Sequence, residues 1–189
     1  MSLESNSAFR NSISSYIPKG VSFNELEELE RQEKKHPLPT FDFEVAFALG
    51  CFVRENAIRL FPDKAIVIDI SLPSGQCLFH TTTNHGTALD NDLWVQRKRN
   101  TVFRFGHSSL FMGRKMSSKK AKTMEEAFYI SHENYAVHGG AIPLFVEAID
   151  AVVACLTVSG LKQEEDHTLA MATLGGFLQK QSQDHLSLD

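Results

Sequence analysis

Residues 65–83 read AIVIDISLPSGQCLFHTTT, and this stretch is the clearest guide to the fold. Ile66, Ile68 and Ile70 occupy every second position, which is the period of a β-strand with one apolar face. The Pro-Ser-Gly sequence at 73–75 is typical of a turn, because proline fixes its own φ and glycine accepts a positive φ. The chain then returns as a second strand. The stretch therefore predicts a β-hairpin.

Helical segments and a second hairpin are predicted on either side of this first hairpin. Apolar residues recur there at spacings of three and four, and capping residues and prolines mark the helix ends. The predicted helices cover about 22–36, 40–61, 90–105, 123–130 and 163–180, and the second hairpin combines strands at 140–146 and 151–159. The order is α-α-β-β-α-α-β-β-α. Because both strand pairs are hairpins, the sequence predicts an α+β fold with an antiparallel sheet flanked by helices.

The length and the N-terminal segment predict the domain organisation. A chain of 189 residues suits one domain with one hydrophobic core. Residues 1–20 are polar and rich in Ser and Asn, so they are predicted to form a disordered or loosely attached extension of a single domain at 21–189. No stretch resembles a secretory signal or reaches the roughly 20 apolar residues of a membrane span. These features predict a cytoplasmic protein, with the nucleus also accessible to a monomer of this size.

Charge and cysteine content narrow the class of partner. The net charge of −4 argues against general nucleic-acid binding, because neutralising several phosphates needs a surplus of Lys and Arg. Cys51, Cys77 and Cys155 are scattered within apolar runs, and none belongs to a CxxC pair. They are predicted to be buried, reduced thiols, and their odd number argues against a disulfide framework.

A basic segment stands out against the acidic composition. Residues 93–122 contain nine Lys or Arg and no acidic residue. The interaction candidates in this segment are Arg97, Lys98, Arg99 and Arg104. Such a patch attracts a carboxylate, a phosphate, a haem propionate or an acidic partner surface. The alternative interpretation is a solvated helix face, and the sequence leaves both open.

Three short segments carry the candidates for ligand binding. They are His107-Ser108, His138-Gly139-Gly140 and Asp166-His167. His138 precedes a predicted strand, where it is a ligand, a base or a hydrogen-bonded structural residue. Asp166 and His167 are compatible with a metal site if a second histidine completes it, but no residue is assigned as a metal ligand. Asp90 and Asp92 fit either a cation site or the N-cap and first turn of a helix.

Four longer stretches carry a family resemblance. They read AIVIDISLPSGQCLFHTTT at 65–83, ALDNDLWVQRKRNTVFRFGHSS at 88–109, YAVHGGAIPL at 135–144 and LTVSGLKQEEDH at 156–167. In these stretches the chain resembles the fungal and bacterial branch of the haem-degrading-domain family, also called GlcG/HbpS-like. The resemblance covers about 40–180. It implies an antiparallel sheet of about five strands, dimers that assemble into larger oligomers, and haem binding or degradation in relatives.

Three functions are compatible with these observations. The first is a cytosolic, homo-oligomeric binding or scaffold protein without catalysis, whose partners are further copies of itself and other cytosolic proteins. The second is a haem-binding or haem-degrading protein with His107, His138 or His167 as the axial ligand. The third is a metal-dependent hydrolase or isomerase that uses His138, Asp166 and His167. No familiar catalytic signature is present, which favours binding over catalysis. The cofactor stays unknown, with haem as the candidate.

Overall fold

The structure is a computed structural model that describes residues 5–186. This part of the chain forms seven helices and four strands. In chain order they are α1 (Asn6–Tyr16), α2 (Phe23–Glu33), α3 (Phe43–Leu60), β1 (Val67–Ser71), β2 (Cys77–Thr82), α4 (Leu89–Phe105), α5 (Ser109–Ser118), α6 (Met124–Phe128), β3 (Ala141–Val146), β4 (Ile149–Ser159) and α7 (Gln163–Leu186). None of the described helices is long and apolar enough to cross a lipid bilayer.

The four strands form one antiparallel sheet in the order β2-β1-β4-β3. Both predicted hairpins are confirmed, and β1 and β4 join them at the centre of the sheet, where Val67 pairs with Ser159. The predicted α+β fold class is therefore confirmed.

The described sheet has four strands rather than about five, and the segment beside its β3 edge forms only a single bridge. Leu38 forms a single parallel bridge with Val146 beside β3. Its N–H donates to Phe145 and its carbonyl accepts from Glu147. Pro37 and Pro39 flank Leu38, and no further residue of this segment pairs with β3, so the contact stays a single bridge.

Helices cover the two faces of the sheet differently. Ile66, Ile68 and Ile70 point into the main core, where α3 and α7 pack on the sheet. The opposite face lies under α4 and buries polar side chains, namely those of Asp69, Ser71, Thr157 and Ser159. Buried polar groups need partners, because their desolvation is unfavourable when no hydrogen bond replaces water. The α4 side of the sheet is therefore where specific polar chemistry is concentrated.

The N-terminal segment forms helix α1 over Asn6–Tyr16, where the sequence predicts part of a disordered or loosely attached extension. Helix α1 is capped by Ser5, whose hydroxyl accepts the Ala8 N–H at 3.2 Å. Phe9 is fully buried and meets Phe61 edge to face, with ring centroids 5.2 Å apart. Phe9, together with the partly buried Ile13 and Tyr16, anchors on the main core a helix whose other residues are mostly polar. Residues 1–4 lie outside the described part.

Candidate functional site

Segments that are far apart in sequence converge on one cleft beside the α4 face of the sheet. The cleft has a volume of about 320 Å³. It is lined by Asp90, Asn91, Trp94, Lys98, His138, Ser159, Gly160, Leu161, Gln163 and Asp166. We call it the Lys98 cleft. It brings together parts of α4, the loop before β3 and the junction of β4 with α7.

A buried ion pair forms the base of the cleft. The Lys98 Nζ lies 3.0 Å from the Asp166 Oδ2, and the side chains are 4% and 2% exposed. Lys98 also donates to the Val158 carbonyl at 3.3 Å, and the other Asp166 oxygen accepts the Leu161 N–H at 3.0 Å. Burial raises the pKa of the Asp166 carboxyl, and the Lys98 ammonium opposes that rise. The ion pair therefore keeps two opposite charges, each neutralising the other, at a fixed position at the base of the cleft.

Gly139 and Gly140 allow the backbone to approach this pair closely. Gly140 has a φ of 126°, and a side chain there would meet the Val158 carbonyl and would lie 2.9 Å from the Lys98 Nζ. A side chain at Gly139 would lie 2.5 Å from the Gln163 carbonyl oxygen. Both glycines were predicted as ligand-binding candidates. The structure places them as backbone spacers that let β3 and α7 close around Lys98.

His138 stands at the rim of the cleft and is exposed. Its ring meets Trp94 edge to face, with centroids 5.0 Å apart. Partial burial and then the charges of Lys98 and Arg97 lower the pKa of His138, so its imidazole is neutral at neutral pH. It forms no hydrogen bond to any residue that the structure describes. This side chain is therefore available to a ligand or a metal ion.

His167 lies behind the cleft rather than in it. The residue is buried, and burial followed by the Lys98 charge lowers the pKa of His167 to about 3. Its Nδ1 has no hydrogen-bond partner within residues 5–186. Asp166, the neighbouring residue, pairs with Lys98 instead. The structure thus does not assemble His138, Asp166 and His167 into a metal-binding set.

His107 and Ser108 belong to a different part of the molecule. The His107 Nδ1 lies 3.0 Å from the Glu33 Oε2, and its ring stacks on Phe111 at 4.0 Å. The Ser108 N–H donates to the other Glu33 oxygen at 2.9 Å, and its hydroxyl accepts the Phe111 N–H at 3.0 Å. Both residues hold the start of α5 against the end of α2. Neither lines the Lys98 cleft, so the three candidate histidines do not converge.

The predicted basic segment does not form one continuous patch. Lys98 points inward, while Arg99 donates to Ser71 at 2.9 Å beneath α4. Arg97 lies over the Trp94 ring at 4.1 Å, and Arg104 lies 5.7 Å from the ring centroids of both Phe105 and Tyr135. Successive residues of a helix are turned by about 100°, so these side chains reach different surroundings. Only Arg97 and Lys98 remain next to the cleft.

Sequence reasoning missed a cluster formed by Asp69, Cys77 and His80. The ligand atoms of these three residues all lie within 4.8 Å of one another, and no other such group occurs in the part of the chain that the structure describes. Cys77 is exposed, which corrects the prediction that all three thiols are buried. Partial burial and the Asp69 carboxylate raise the pKa of the Cys77 thiol. The sequence does not reveal this cluster, because Cys77 and His80 are three residues apart and residues at that spacing in a regular strand face opposite sides of the sheet.

The aspartates at the start of α4 are divided between the cleft and this cluster. The helix begins at Leu89 with Ala88 as the N-cap, rather than with Asp90, because the Asn91 side chain accepts the Ala88 N–H at 2.8 Å. Asp90 lines the Lys98 cleft. The Asp92 Oδ1 lies 3.2 Å from the Nε2 of His80. The two carboxylates therefore do not act together on one cation.

Comparison of the sequence with known families identifies its relatives. The sequence model of the family described as haem degrading protein HbpS-like matches residues 41–175. UPF0303 protein YBR137W of Saccharomyces cerevisiae is 51% identical and covers 87% of this chain and 90% of its own length. A UPF0303 protein of Streptomyces avermitilis is 40% identical over 81% of this chain and 90% of its own.

Solved structures share this architecture. The crystal structure of the Ybr137w protein has a TM-score of 0.79 at 48% identity and covers 88% of this chain and 94% of that chain. HbpS has a TM-score of 0.56 at 16% identity, covering 71% and 88% of the two chains. The PduOC haem complex has a TM-score of 0.58 at 16% identity, covering 72% and 94%. These last two show likeness of fold alone.

Proposed function

The chain belongs to the family of HbpS-like haem-degrading proteins, and from this premise we propose that it is a cytoplasmic, homo-oligomeric binding protein whose small ligand enters the Lys98 cleft. The observation that carries this proposal is the arrangement of an exposed His138 and the Trp94 ring above a buried Lys98–Asp166 pair. The free thiols of Cys51, Cys77 and Cys155 support a reducing compartment.

The cleft favours a planar ligand with an anionic group. Trp94 and His138 offer aromatic surface, and Arg97 supplies a positive charge at the rim. An ammonium group has three N–H donors, and described residues accept two from Lys98, so one is left for a ligand oxygen. Because Asp166 already neutralises Lys98, the cleft is ordered before the ligand arrives. This preorganisation suits binding.

Self-association is proposed along the free edge of β2. Phe43 and Phe47 on α3 are 64% and 59% exposed, and Leu89 and Leu93 are exposed on α4, across the sheet. Phe47 meets the strand residue Phe79 edge to face, with centroids 6.1 Å apart. Exposed apolar patches and unpaired strand edges are features of protein interfaces. A second copy of the chain would bury both.

Haem is the second candidate, and His138 is the observation that favours it. A neutral imidazole is an axial ligand of haem iron, and Arg97 offers a partner for a propionate. His107 is held by Glu33 and His167 is buried, so neither is free to take this role. The PduOC haem complex has a similar fold. The residues at the rim of the cleft therefore fit the group, and iron would supply the coordination chemistry.

Titration with hemin and with metal-free protoporphyrin tests both candidates. Trp94 is the single tryptophan of the chain, so quenching of its fluorescence reports directly on the cleft. We expect both porphyrins to quench Trp94, and hemin to show a shifted Soret band at one haem per chain. The shift should be lost in His138→Ala and kept in the matched control His107→Ala.

The outcomes separate the two candidates. Quenching by protoporphyrin without any Soret shift from hemin would reject His138 as an iron ligand but keep the cleft as a binding site. Absence of quenching by either porphyrin and by a panel of planar carboxylates, after correction for absorption, would overturn the binding proposal.

A further inference from the structure

The cluster of Asp69, Cys77 and His80 depends on a β-bulge between β1 and β2. Asp69 pairs with His80 and Ile70 pairs with Phe79, but Ser71 then pairs with Cys77, so the register shifts by one residue. Without the shift, Cys77 and His80 would face opposite sides of the sheet. The bulge turns Cys77 to the side where Asp69 and His80 lie. Bulges that redirect one side chain in this way are common beside functional sites.

The geometry and chemistry of the cluster suit a transition metal ion. The Asp69 Oδ2 lies 3.1 Å from the His80 Nδ1 and 3.6 Å from the Cys77 Sγ. Imidazole, thiolate and carboxylate are the three ligand types that zinc accepts in proteins. We propose that Asp69, Cys77 and His80 bind one divalent transition metal ion, with zinc preferred. Three protein ligands leave the fourth tetrahedral position open, and in the single chain this position lies on the side of exposed Cys77.

The surrounding residues orient these ligands as neighbours of a metal site do. The His80 Nε2, opposite the proposed ligand atom, lies 3.2 Å from the Asp92 Oδ1, and metal-bound histidines usually donate their second N–H to a carboxylate. The Ser71 hydroxyl donates to the Asp69 Oδ1 at 2.7 Å, and Arg99 lies 3.6 Å from the same oxygen. The Asp69 Oδ2 is thereby left for the metal.

The charges around the cluster also favour a divalent cation. A bound Cys77 thiolate, Asp69 and Asp92 bring three negative charges to this site, and Arg99 contributes one positive charge. A divalent cation would neutralise the remainder. The site is distinct from the Lys98 cleft, and it does not rest on the function proposed above. It shares only α4 with the cleft.

Cobalt(II) is the probe that tests this site, because a thiolate bound to Co²⁺ gives a sulfur-to-metal charge-transfer absorption band. The full chain, treated with a chelator and then dialysed, is titrated with Co²⁺ and afterwards with Zn²⁺. We expect one cobalt per chain, a charge-transfer band, and loss of that band when zinc displaces cobalt. Cys77→Ser and His80→Asn should abolish the band, and Cys51→Ser is the matched control that keeps it.

A variant outside the ligand set makes the test more specific. Asp92→Asn leaves all three ligands in place but weakens the partner of His80, so cobalt affinity should fall about 10- to 100-fold. Circular dichroism checks that each variant is folded, and the exposed positions Cys77 and His80 carry the test if Asp69 variants do not fold. Absence of the band in the wild type, or its survival in Cys77→Ser or His80→Asn, would overturn the proposal.

Discussion

At the scale of single residues, the Lys98–Asp166 pair shows how a buried charge depends on its partner. Both side chains are almost fully removed from water. Ions in such places are tolerated because each neutralises the other, and the pair as a whole adds little to stability compared with apolar residues of similar size. Its value lies in fixing the loop before β3 and the start of α7 around the cleft.

We predict that Lys98→Met strongly destabilises the protein. The substitution leaves Asp166 buried without a counter-ion, so the free energy of unfolding should fall by about 3–5 kcal/mol. The double variant with Asp166→Leu should recover much of that loss. Urea denaturation measures both. The exposed Lys162→Met is the matched control, and a Lys98→Met variant as stable as this control would contradict the prediction.

His167 predicts a loss of stability in acid. Its pKa is about 3 in the folded chain against an ordinary value of 6.5, so the unfolded chain binds a proton first as the pH falls. The stabilising effect is complete above pH 6.5 and disappears as the pH drops from there toward 3. Between pH 6.5 and pH 3, the titration of His167 should lower the free energy of unfolding by about 1 kcal/mol for each unit by which the pH falls.

The test for His167 compares how steeply the free energy of unfolding depends on pH in the wild type and in a variant without this histidine. Urea denaturation of His167→Phe between pH 6 and pH 4 should depend less steeply on pH than that of the wild type. His85→Gln, at an exposed position, should keep the wild-type slope. Equal slopes for the wild type and His167→Phe would show that His167 is not the titrating group.

At the scale of elements, the conformation of the loop before β3 depends on a glycine at position 140. Gly140→Ala would place a methyl group against the Val158 carbonyl at a φ of 126°. We predict a loss of about 2 kcal/mol or more in unfolding free energy and weaker ligand quenching of Trp94. Gly75→Ala is the control, since it has a φ of 90° but no atom within 4 Å of the new methyl group. If both variants lose the same unfolding free energy, backbone strain alone accounts for the loss, and the contact with the Val158 carbonyl contributes nothing.

Periodicity predicts elements well when local pattern and burial agree. The alternation of Ile66, Ile68 and Ile70 reflects a strand whose apolar side faces the core, and the predicted hairpin forms there. Helix α1 was not predicted, although Phe9, Ile13 and Tyr16 recur at spacings of four and three, because most other residues of this segment are Ser or Asn. The segment at Leu38 pairs with β3 through one bridge only, so it adds no fifth strand to the described sheet.

The candidate site was predictable only in part. His138 and Asp166 were singled out from the sequence and lie at the cleft, but Lys98 was grouped with exposed basic residues. Lys98 and Asp166 are 68 residues apart, and their contact depends on how α4 and α7 dock, which no local pattern encodes. The metal cluster was missed for a similar reason, since a one-residue register shift leaves no trace in composition or spacing.

At the scale of the whole molecule, the apolar surface around β2 predicts self-association. Phe43→Glu with Phe47→Glu places two charges on that surface, where they would be buried between copies. We expect light scattering to show the wild type as an oligomer and the double variant closer to the 21.2 kDa mass of one chain. Phe23→Glu, at an exposed position on α2, is the matched control and should leave the mass unchanged. A monomeric wild type would contradict the prediction.

The sheet order has a consequence for synthesis on the ribosome. Strand β1 lies at the centre of the sheet, but more than 80 residues separate Ser71 from its partner Cys155 in β4. At about 5–20 residues per second, β4 is made roughly 4–17 s after β1. During that interval the first hairpin exists without its central neighbour, and Ile66, Ile68 and Ile70 have no α7 to cover them. The nascent chain therefore presents an apolar strand edge to the cell for several seconds before its fold can close.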